Sequence, residues 1–338
     1  MTSQNVQRML KDYHGLNLLE FLRFYKKKVK IPKIIVQSGA YYLVFFKTDE
    51  NEMLDAVKIA AKEGCRKMLN GGSAVDAVEE AVRILEDDIH FNAGRGSALN
   101  TAHKVECDAM IMDGDKLRTG AVMAGTNFKN PVKVARKIMD ETHHCALSGE
   151  GARRFVQQMN YNELLCDPDE LVVETSRQVM AMNFSEVLPR SYKEALPFDT
   201  VCAVALDKHG HFACATSTGG IPKKMVGRIG DAPLVGCGGY ANEYGGAASS
   251  GCGEAIMKMT LARDVVFSME NGQSAMESAT SAVQRMKQRL TKGYGSIIAI
   301  DKDGKFGIET NSPSMLWATC DPSQAVAGLR RLDDPPEN

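Results

Sequence analysis

Thr200 is the residue whose type and position most clearly suggest chemistry. It stands where a polar segment without periodicity gives way to the apolar run 201–206. A threonine at a chain start carries its own general base, because an α-amine has a pKa of about 7.7–8. We therefore hypothesise that the chain is cut between Asp199 and Thr200 and that the freed threonine acts as a nucleophile. The alternative is a threonine that simply begins a strand, which β-branched residues favour.

The elements around Thr200 must hold it at a strand end. Two strand-like runs, 201–206 and 211–216, flank the turn 207–210 and predict a β-hairpin. Residues 37–40 are predicted to form a turn after a buried strand at 34–36. The remaining strands are predicted at 105–112, 119–124, 296–300 and 305–309. The helices are predicted at 51–68, after a capping box formed by Ser73 and Asp76, after Pro131, after Ser148, at 254–269 and at 274–290. Helices grouped outside sheets predict a layered α/β sandwich and not an alternating parallel barrel.

Glycine is dense between Gly236 and Gly253. Glycine permits close backbone approach and leaves amides open to a ligand. We therefore expect this stretch to contact a ligand and not to pack in the core.

Composition narrows the function classes. The chain of 338 residues has 41 basic and 42 acidic residues and a formal net charge of −1, so no basic field for nucleic acid is expected. No apolar run approaches the roughly 20 residues of a membrane helix, so no membrane partner is expected. The nine scattered cysteines form no CxxC pair, which predicts reduced thiols and a cytoplasmic protein. The adjacent His143 and His144 would point apart, so no metal site is predicted.

Two segments, 1–30 and 160–199, differ in character from the rest of the chain. Residues 1–30 have an apolar cluster followed by lysines, which favours a solvated helical extension over a basic amphipathic helix that touches a membrane. The mixed-charge stretch 160–199 predicts a loose linker. If the chain is cut at Thr200, 31–199 and 200–338 would be two parts of one domain.

Several separated blocks resemble one known family. The chain is similar to the plant-type asparaginases and isoaspartyl peptidases, which are N-terminal-nucleophile hydrolases related to glycosylasparaginase and taspase. The resemblance covers roughly residues 33 to 320 and rests on blocks in the family's order: 71–78, 85–94, 108–114, 199–201, 216–220, 227–233 and 251–254.

The resemblance implies a four-layer αββα sandwich and a precursor that cleaves itself before a threonine. It implies hydrolysis of L-asparagine or isoaspartyl (β-aspartyl) dipeptides, with release of L-aspartate and without a cofactor. It further implies a homodimer of processed units. In relatives, a loop matching the one around Leu85 to Ala93 can hold a sodium ion through backbone carbonyls.

The resemblance also assigns roles to single residues. Thr200 would be the nucleophile, and Thr218 would tune it. Ser250 and Gly251 would form the oxyanion hole, where donors stabilise the tetrahedral oxyanion. Asn92 would orient the substrate or the nucleophile. Arg228 would clamp the substrate carboxylate and Asp231 would accept its ammonium, with Gly251 and Gly253 beside them.

Three positions depart from the family pattern. Gln37-Ser38-Gly39 stands where the family has His-Gly-Gly, and Cys202 stands where it has glycine. We expect both changes to slow self-cleavage, since a side chain at Cys202 could crowd the pocket. Ser250 replaces a threonine and keeps the hydroxyl, so little effect is expected. The alternatives are a taspase-like threonine endopeptidase and a poorly processed, non-catalytic member that acts by binding.

Overall fold

Two β-sheets form the frame of the protein. The computed structural model describes residues 30–39, 49–182, 200–291 and 293–331. An eight-stranded sheet has the order β12-β11-β1-β5-β6-β2-β3-β4, and a four-stranded sheet has the order β10-β9-β8-β7. The strands are β1 Lys33–Gly39, β2 Cys107–Asp113, β3 Arg118–Gly125, β4 Leu147–Ser148, β5 Val201–Leu206, β6 Phe212–Thr218, β7 Gly239–Asn242, β8 Gly245–Gly251, β9 Gly295–Asp301, β10 Phe306–Thr310, β11 Ser314–Cys320 and β12 Ala325–Arg331.

The helices of the described residues lie in three groups along the chain. They are α1 Glu50–Leu69, α2 Ala74–Asp87, α3 Pro131–Glu141, α4 Gly149–Gln158, α5 Pro168–Leu171, α6 Glu174–Ala181, α7 Gly253–Met259, α8 Leu261–Glu270 and α9 Ala275–Arg289, with a 3₁₀ turn at Asn162–Leu164. A capping box predicted at Ser73 is confirmed, because Ser73 Oγ accepts the Asp76 N–H and Asp76 accepts the Ser73 N–H. Ser274 caps α9 in the same way.

Side chains that alternate along the strands build separate cores. Val204 and Ile35 of the large sheet pack with Ile298 and Ile300 of the small one. The opposite face of the large sheet packs on α1 and α2, and the opposite face of the small sheet packs on α8 and α9. The protein is therefore a mixed α/β structure in which each sheet is covered by helices.

The strand that begins beside Thr200 lies in the middle of the large sheet. It pairs antiparallel with β1 on one side and with β6 on the other. The predicted β5–β6 hairpin is confirmed, and Asp207 Oδ1 closes its turn by accepting the N–H groups of His209 and His211 at 2.8 and 3.1 Å. Strands from before and after residue 200 are thus interleaved in one sheet, with β1 between β11 and β5.

The structure corrects several predictions. Residues 37–39 continue β1 and are not a turn, because they pair with β11, a strand that the sequence analysis missed along with β7, β8 and β12. The helix predicted over 254–269 is two helices, since Thr260 adopts a left-handed conformation between them. The segment expected to be loose from 160 contains the 3₁₀ turn, α5 and α6.

The glycine-rich run is also different from the prediction. Much of it forms β7 and β8, and the expectation of ligand contact is wrong for Gly245 and Gly246. A Cβ at Gly246 would lie 2.7 Å from Val204 Cγ1, and one at Gly245 would lie 2.6 Å from Met269 Cε. These glycines let β8 pack closely against the large sheet and against α8.

Two of the predicted segments concern residues that the structure does not describe. The extension 1–29 and residues 183–199, which include Asp199, lie outside the described residues. Within the described ranges, no helix is long and apolar enough to cross a membrane.

Candidate active site

Thr200 lies at the point where the two sheets meet. It is only 4% exposed, and its backbone N–H donates to Ser250 Oγ at 3.1 Å. Ser250 belongs to β8 of the small sheet, whereas Thr200 directly precedes β5 of the large one. Packing of one sheet on the other therefore brings together two hydroxyl residues that are 50 positions apart.

The register of the hairpin places Thr218 next to Thr200. Val201 pairs with Ser217, so Thr200 and Thr218 occupy the next step of the same two strands. Directly opposed residues of an antiparallel pair have Cβ atoms about 5 Å apart. Thr218 Oγ1 accepts the Gly220 N–H at 2.9 Å, which fixes the turn that follows β6.

Asn92 fixes the same turn from the other side. The side-chain Nδ2 of Asn92 donates to the Gly220 carbonyl at 2.6 Å, and the backbone carbonyl of Asn92 accepts the Gly219 N–H at 2.7 Å. Its Oδ1 accepts the Ala98 N–H at 2.8 Å. Asn92 is fully buried and holds the turn after Thr218, so its position is that of a supporting residue.

The side chains of Arg228 and Asp231 both lie next to Gly253. A Cβ at Gly253 would lie 2.9 Å from Arg228 Nη2 and 3.0 Å from Asp231 Oδ1. Glycine is therefore required there to leave room for a cation and a carboxylate beside each other. Arg228 is also bonded to Glu254, with Nε and Nη2 donating at 3.0 and 2.9 Å.

The carboxyl group of Asp231 is electrostatically unusual. Burial raises its pKa from the ordinary value of 3.8 to about 7, and the positive charge of Arg228 opposes this shift only in part. Ser249 Oγ donates to Asp231 Oδ2 at 3.4 Å. A group that is costly to ionise but lies beside a guanidinium is poised to change charge when a cationic ligand group arrives.

Gly251 ends β8 immediately after Ser250. Its φ is +143°, and a Cβ there would lie 2.6 Å from both Gly295 Cα and the Tyr294 carbonyl oxygen. Only glycine fits this bend, which turns the chain from β8 into α7. The bend brings Ser250, Gly253 and Glu254 to the same end of the small sheet.

Two of the positions that depart from the family pattern, Gln37 and Cys202, lie on neighbouring strands of the large sheet. Gln37 is directly opposite Cys202 in the β1–β5 pairing, and both side chains are fully buried. Cys202 packs in the core between the sheets one alternation inward from Thr200, with Sγ 3.9 Å from the Ser249 carbonyl oxygen.

Sequence reasoning missed three side chains that surround this cluster. Asp108 Oδ1 accepts the Ala124 N–H at 2.7 Å and Oδ2 accepts the Gly230 N–H at 3.3 Å, so it anchors the segment between Arg228 and Asp231. Lys224 is buried beside Gly220. Glu254 orients Arg228. Asp108 and Glu254 stood in the recognised blocks, but nothing in their spacing indicated these contacts.

Metal ligands do not converge in the described part of the chain. No group of three or more histidine, cysteine, aspartate or glutamate side chains there could hold a metal ion. Sodium binding by carbonyls of the loop around Leu85 to Ala93 stays a prediction.

The site gathers a buried strand-end threonine, the hydroxyl of Ser250, the neighbouring Thr218, and a guanidinium and a carboxylate that lie next to Gly253, which are groups with which a hydrolase can work. The sequence profile of the asparaginase family matches residues 30–327. The chain belongs to this family.

Curated relatives extend the similarity over almost their whole length. The isoaspartyl peptidase/L-asparaginase of Danio rerio is 41% identical over 301 residues, which cover 88% of this chain and 95% of that protein. The isoaspartyl peptidase/L-asparaginase of Homo sapiens is 44% identical over 271 residues, covering 80% and 87%. The plant-type L-asparaginase of Pyrococcus horikoshii is 37% identical over 295 residues, covering 84% and 95%.

Proposed function

We propose that this protein is a self-cleaving threonine amidohydrolase that hydrolyses L-asparagine and β-aspartyl dipeptides and releases L-aspartate. The observation that carries the proposal is the Thr200 N–H···Ser250 Oγ bond of 3.1 Å at the meeting point of the two sheets. The names of the relatives support the substrate class.

Self-cleavage would come first. Thr200 Oγ attacks the carbonyl carbon of Asp199, its proton passes to the Thr200 nitrogen as the peptide C–N bond breaks, and an ester joins Asp199 to Thr200. Water then opens the ester, the threonine hydroxyl regains a proton, and the α-amine of Thr200 is free.

Substrate hydrolysis would use the freed amine as a base. An amine with a pKa of about 7.7–8 is partly unprotonated near neutral pH. It accepts the proton of Thr200 Oγ as the oxygen attacks the side-chain amide carbon of the substrate. Ser250 and the backbone at Gly251 would stabilise the resulting oxyanion, and Thr218 would tune the nucleophile from the neighbouring strand. Ammonia or an amino acid leaves, and water releases aspartate from the ester.

Recognition would use the groups around Gly253. Arg228 binds the substrate α-carboxylate and ionised Asp231 binds its α-ammonium group. Asn92 would act through the turn of Gly219 and Gly220. These roles are supported by the opposite charges that lie next to one glycine.

We also propose the layer order of the fold, the oligomeric state and the cellular location of the protein. The separate cores on both faces of each sheet support a four-layer αββα arrangement. Segments 31–199 and 200–338 would remain together as one domain after cleavage, because their strands are interleaved in one sheet. The unit would form a homodimer in the cytoplasm, and its partners would be small substrates.

An intact-mass measurement of the purified protein tests the proposal. Cleavage before Thr200 gives fragments of 199 and 139 residues from the 338-residue chain. Thr200→Ala should leave the chain intact and inactive, whereas the matched control Thr200→Ser keeps the hydroxyl and should still cleave. A wild-type chain that stays intact would favour a non-catalytic binding protein. A cleaved chain that releases no aspartate from either substrate class would refute the substrate assignment.

A further inference from the structure

Lys224 is a buried cation beside the site to which no role has been assigned. It is 2% exposed, and its Nζ donates to the Glu106 carbonyl at 2.7 Å. No carboxylate of the described residues forms an ion pair with it; the carboxylate of Glu106 instead accepts the Gly227 N–H. An ammonium has three donors, and a buried ammonium is costly unless an anion compensates it.

The ammonium of Lys224 and the guanidinium of Arg228 converge on one point. A Cβ at Gly220 would lie 3.0 Å from Lys224 Nζ and 3.3 Å from Arg228 Nη1. Glu254 engages Nε and Nη2 of Arg228, so Nη1 is the guanidinium nitrogen directed at Gly220. Two like charges this close repel each other strongly away from water.

The acidic groups nearby are already engaged. Asp108 accepts two backbone N–H groups, and Asp231 accepts from Ser249. Burial lowers the pKa of Lys224, and Asp108 opposes this shift through its charge without forming an ion pair. No carboxylate of the described residues takes the two remaining donors of Lys224 Nζ, and Glu254 leaves Nη1 of Arg228 open, so these donors can be taken by a further anionic group beside Gly220.

We propose that Lys224 is a second cationic specificity determinant, which together with Arg228 selects substrates whose aspartyl α-carboxylate is free. This inference rests on the proposed function and narrows its substrate class. L-asparagine and dipeptides that begin with a β-linked aspartyl group have this carboxylate. An α-linked aspartyl residue inside a polypeptide has this carboxylate in a peptide bond, so the inference predicts no endopeptidase cleavage after such residues.

Two substrates and two lysine variants test the inference. One substrate is a β-aspartyl dipeptide with a free aspartyl α-carboxylate, and the other is the same dipeptide with that carboxylate as a primary amide. Lys224→Met removes the charge and nearly keeps the volume. Lys223→Met is the matched control, because Lys223 is the adjacent, exposed lysine and its loss changes the net charge equally.

The readout is the ratio of kcat/KM for the two substrates, which does not depend on the fraction of folded enzyme. Lys224→Met should lower kcat/KM for the free carboxylate about 10- to 100-fold and should affect the amide far less, so the ratio collapses. Lys223→Met should leave the ratio unchanged.

Three results would overturn the inference. They are an equal loss on both substrates, an unchanged ratio in Lys224→Met, and an equal change of the ratio in Lys223→Met. Lys224→Gln keeps a neutral hydrogen-bond donor, so it must lower the ratio of kcat/KM as Lys224→Met does if the positive charge is the cause. A wild-type enzyme that hydrolyses neither substrate would refute the proposed function itself, and that outcome is separate from these three.

Discussion

Replacement of Asp231 by asparagine should stabilise the protein more at pH 8 than at pH 5. Burial raises the pKa of this carboxyl group from 3.8 to about 7 in the folded state. Between these two values the folded protein keeps a proton that the unfolded chain has lost. Stability is therefore lost as the pH rises through this window, because the buried carboxyl must either hold a proton or ionise at a cost.

The size of the expected stability difference follows from the pKa shift of Asp231. A displacement from 3.8 to about 7 corresponds to an ionisation cost of about 4 kcal/mol above pH 7. Near pH 5 about 1 to 2 kcal/mol of this cost is already present. Asparagine resembles the neutral acid, so the free energy of unfolding of Asp231→Asn relative to its parent should increase by about 2 to 3 kcal/mol from pH 5 to pH 8.

Urea unfolding at both pH values measures this difference. Parent and variant should both carry Thr200→Ala, so that a single intact chain unfolds. Asp55→Asn is the control, because Asp55 is exposed on α1 and its replacement removes the same charge without removing a buried carboxyl group. If Asp231→Asn shows the same difference at pH 5 and pH 8, Asp231 is ionised throughout and the guanidinium of Arg228 compensates its burial. The reasoning from burial would then be refuted.

Three further substitutions have expected outcomes. Ser250→Ala removes the acceptor of the Thr200 N–H and should lower kcat about 10- to 100-fold with a smaller change in KM, as steady-state kinetics would show. Gly245→Ala forces a Cβ to within 2.6 Å of Met269 Cε and should lower the free energy of unfolding by about 1 to 3 kcal/mol in urea titrations. Ser73→Ala removes a capping box and should cost about 1 kcal/mol in the same assay.

Each of these predictions has its own check. Ser250→Thr keeps the hydroxyl and should retain activity, so equal losses in Ser250→Ala and Ser250→Thr would deny the hydroxyl a role. Gly151→Ala in α4 has no atom within 4 Å of the new Cβ and should gain roughly 0.5 to 1 kcal/mol. A similar loss at Gly151 and Gly245 would show that space is not the cause. An unchanged stability in Ser73→Ala would mean that packing alone holds the start of α2.

Local sequence patterns determined the elements whose signals lie within a few residues. The Ser73 capping box, the helix over 50–69 and the hairpin closed by Asp207 were predictable, because each depends on contacts between near neighbours in the chain. Thr200 could be singled out because the change from polar to β-branched sequence is visible there. The resemblance supplied Arg228, Asp231 and Ser250 as candidates but not their geometry.

Tertiary structure alone decided how these residues meet. Residues 37–39 form a strand because they pair with β11. Gly245 and Gly246, which the sequence had indicated as ligand contacts, allow β8 to approach α8 and the large sheet closely. The raised pKa of Asp231 and the convergence of Lys224 with Arg228 depend on burial and on distances between remote segments. Thr200 and Ser250 come from different sheets, and only the packing of one sheet on the other brings their polar atoms to 3.1 Å.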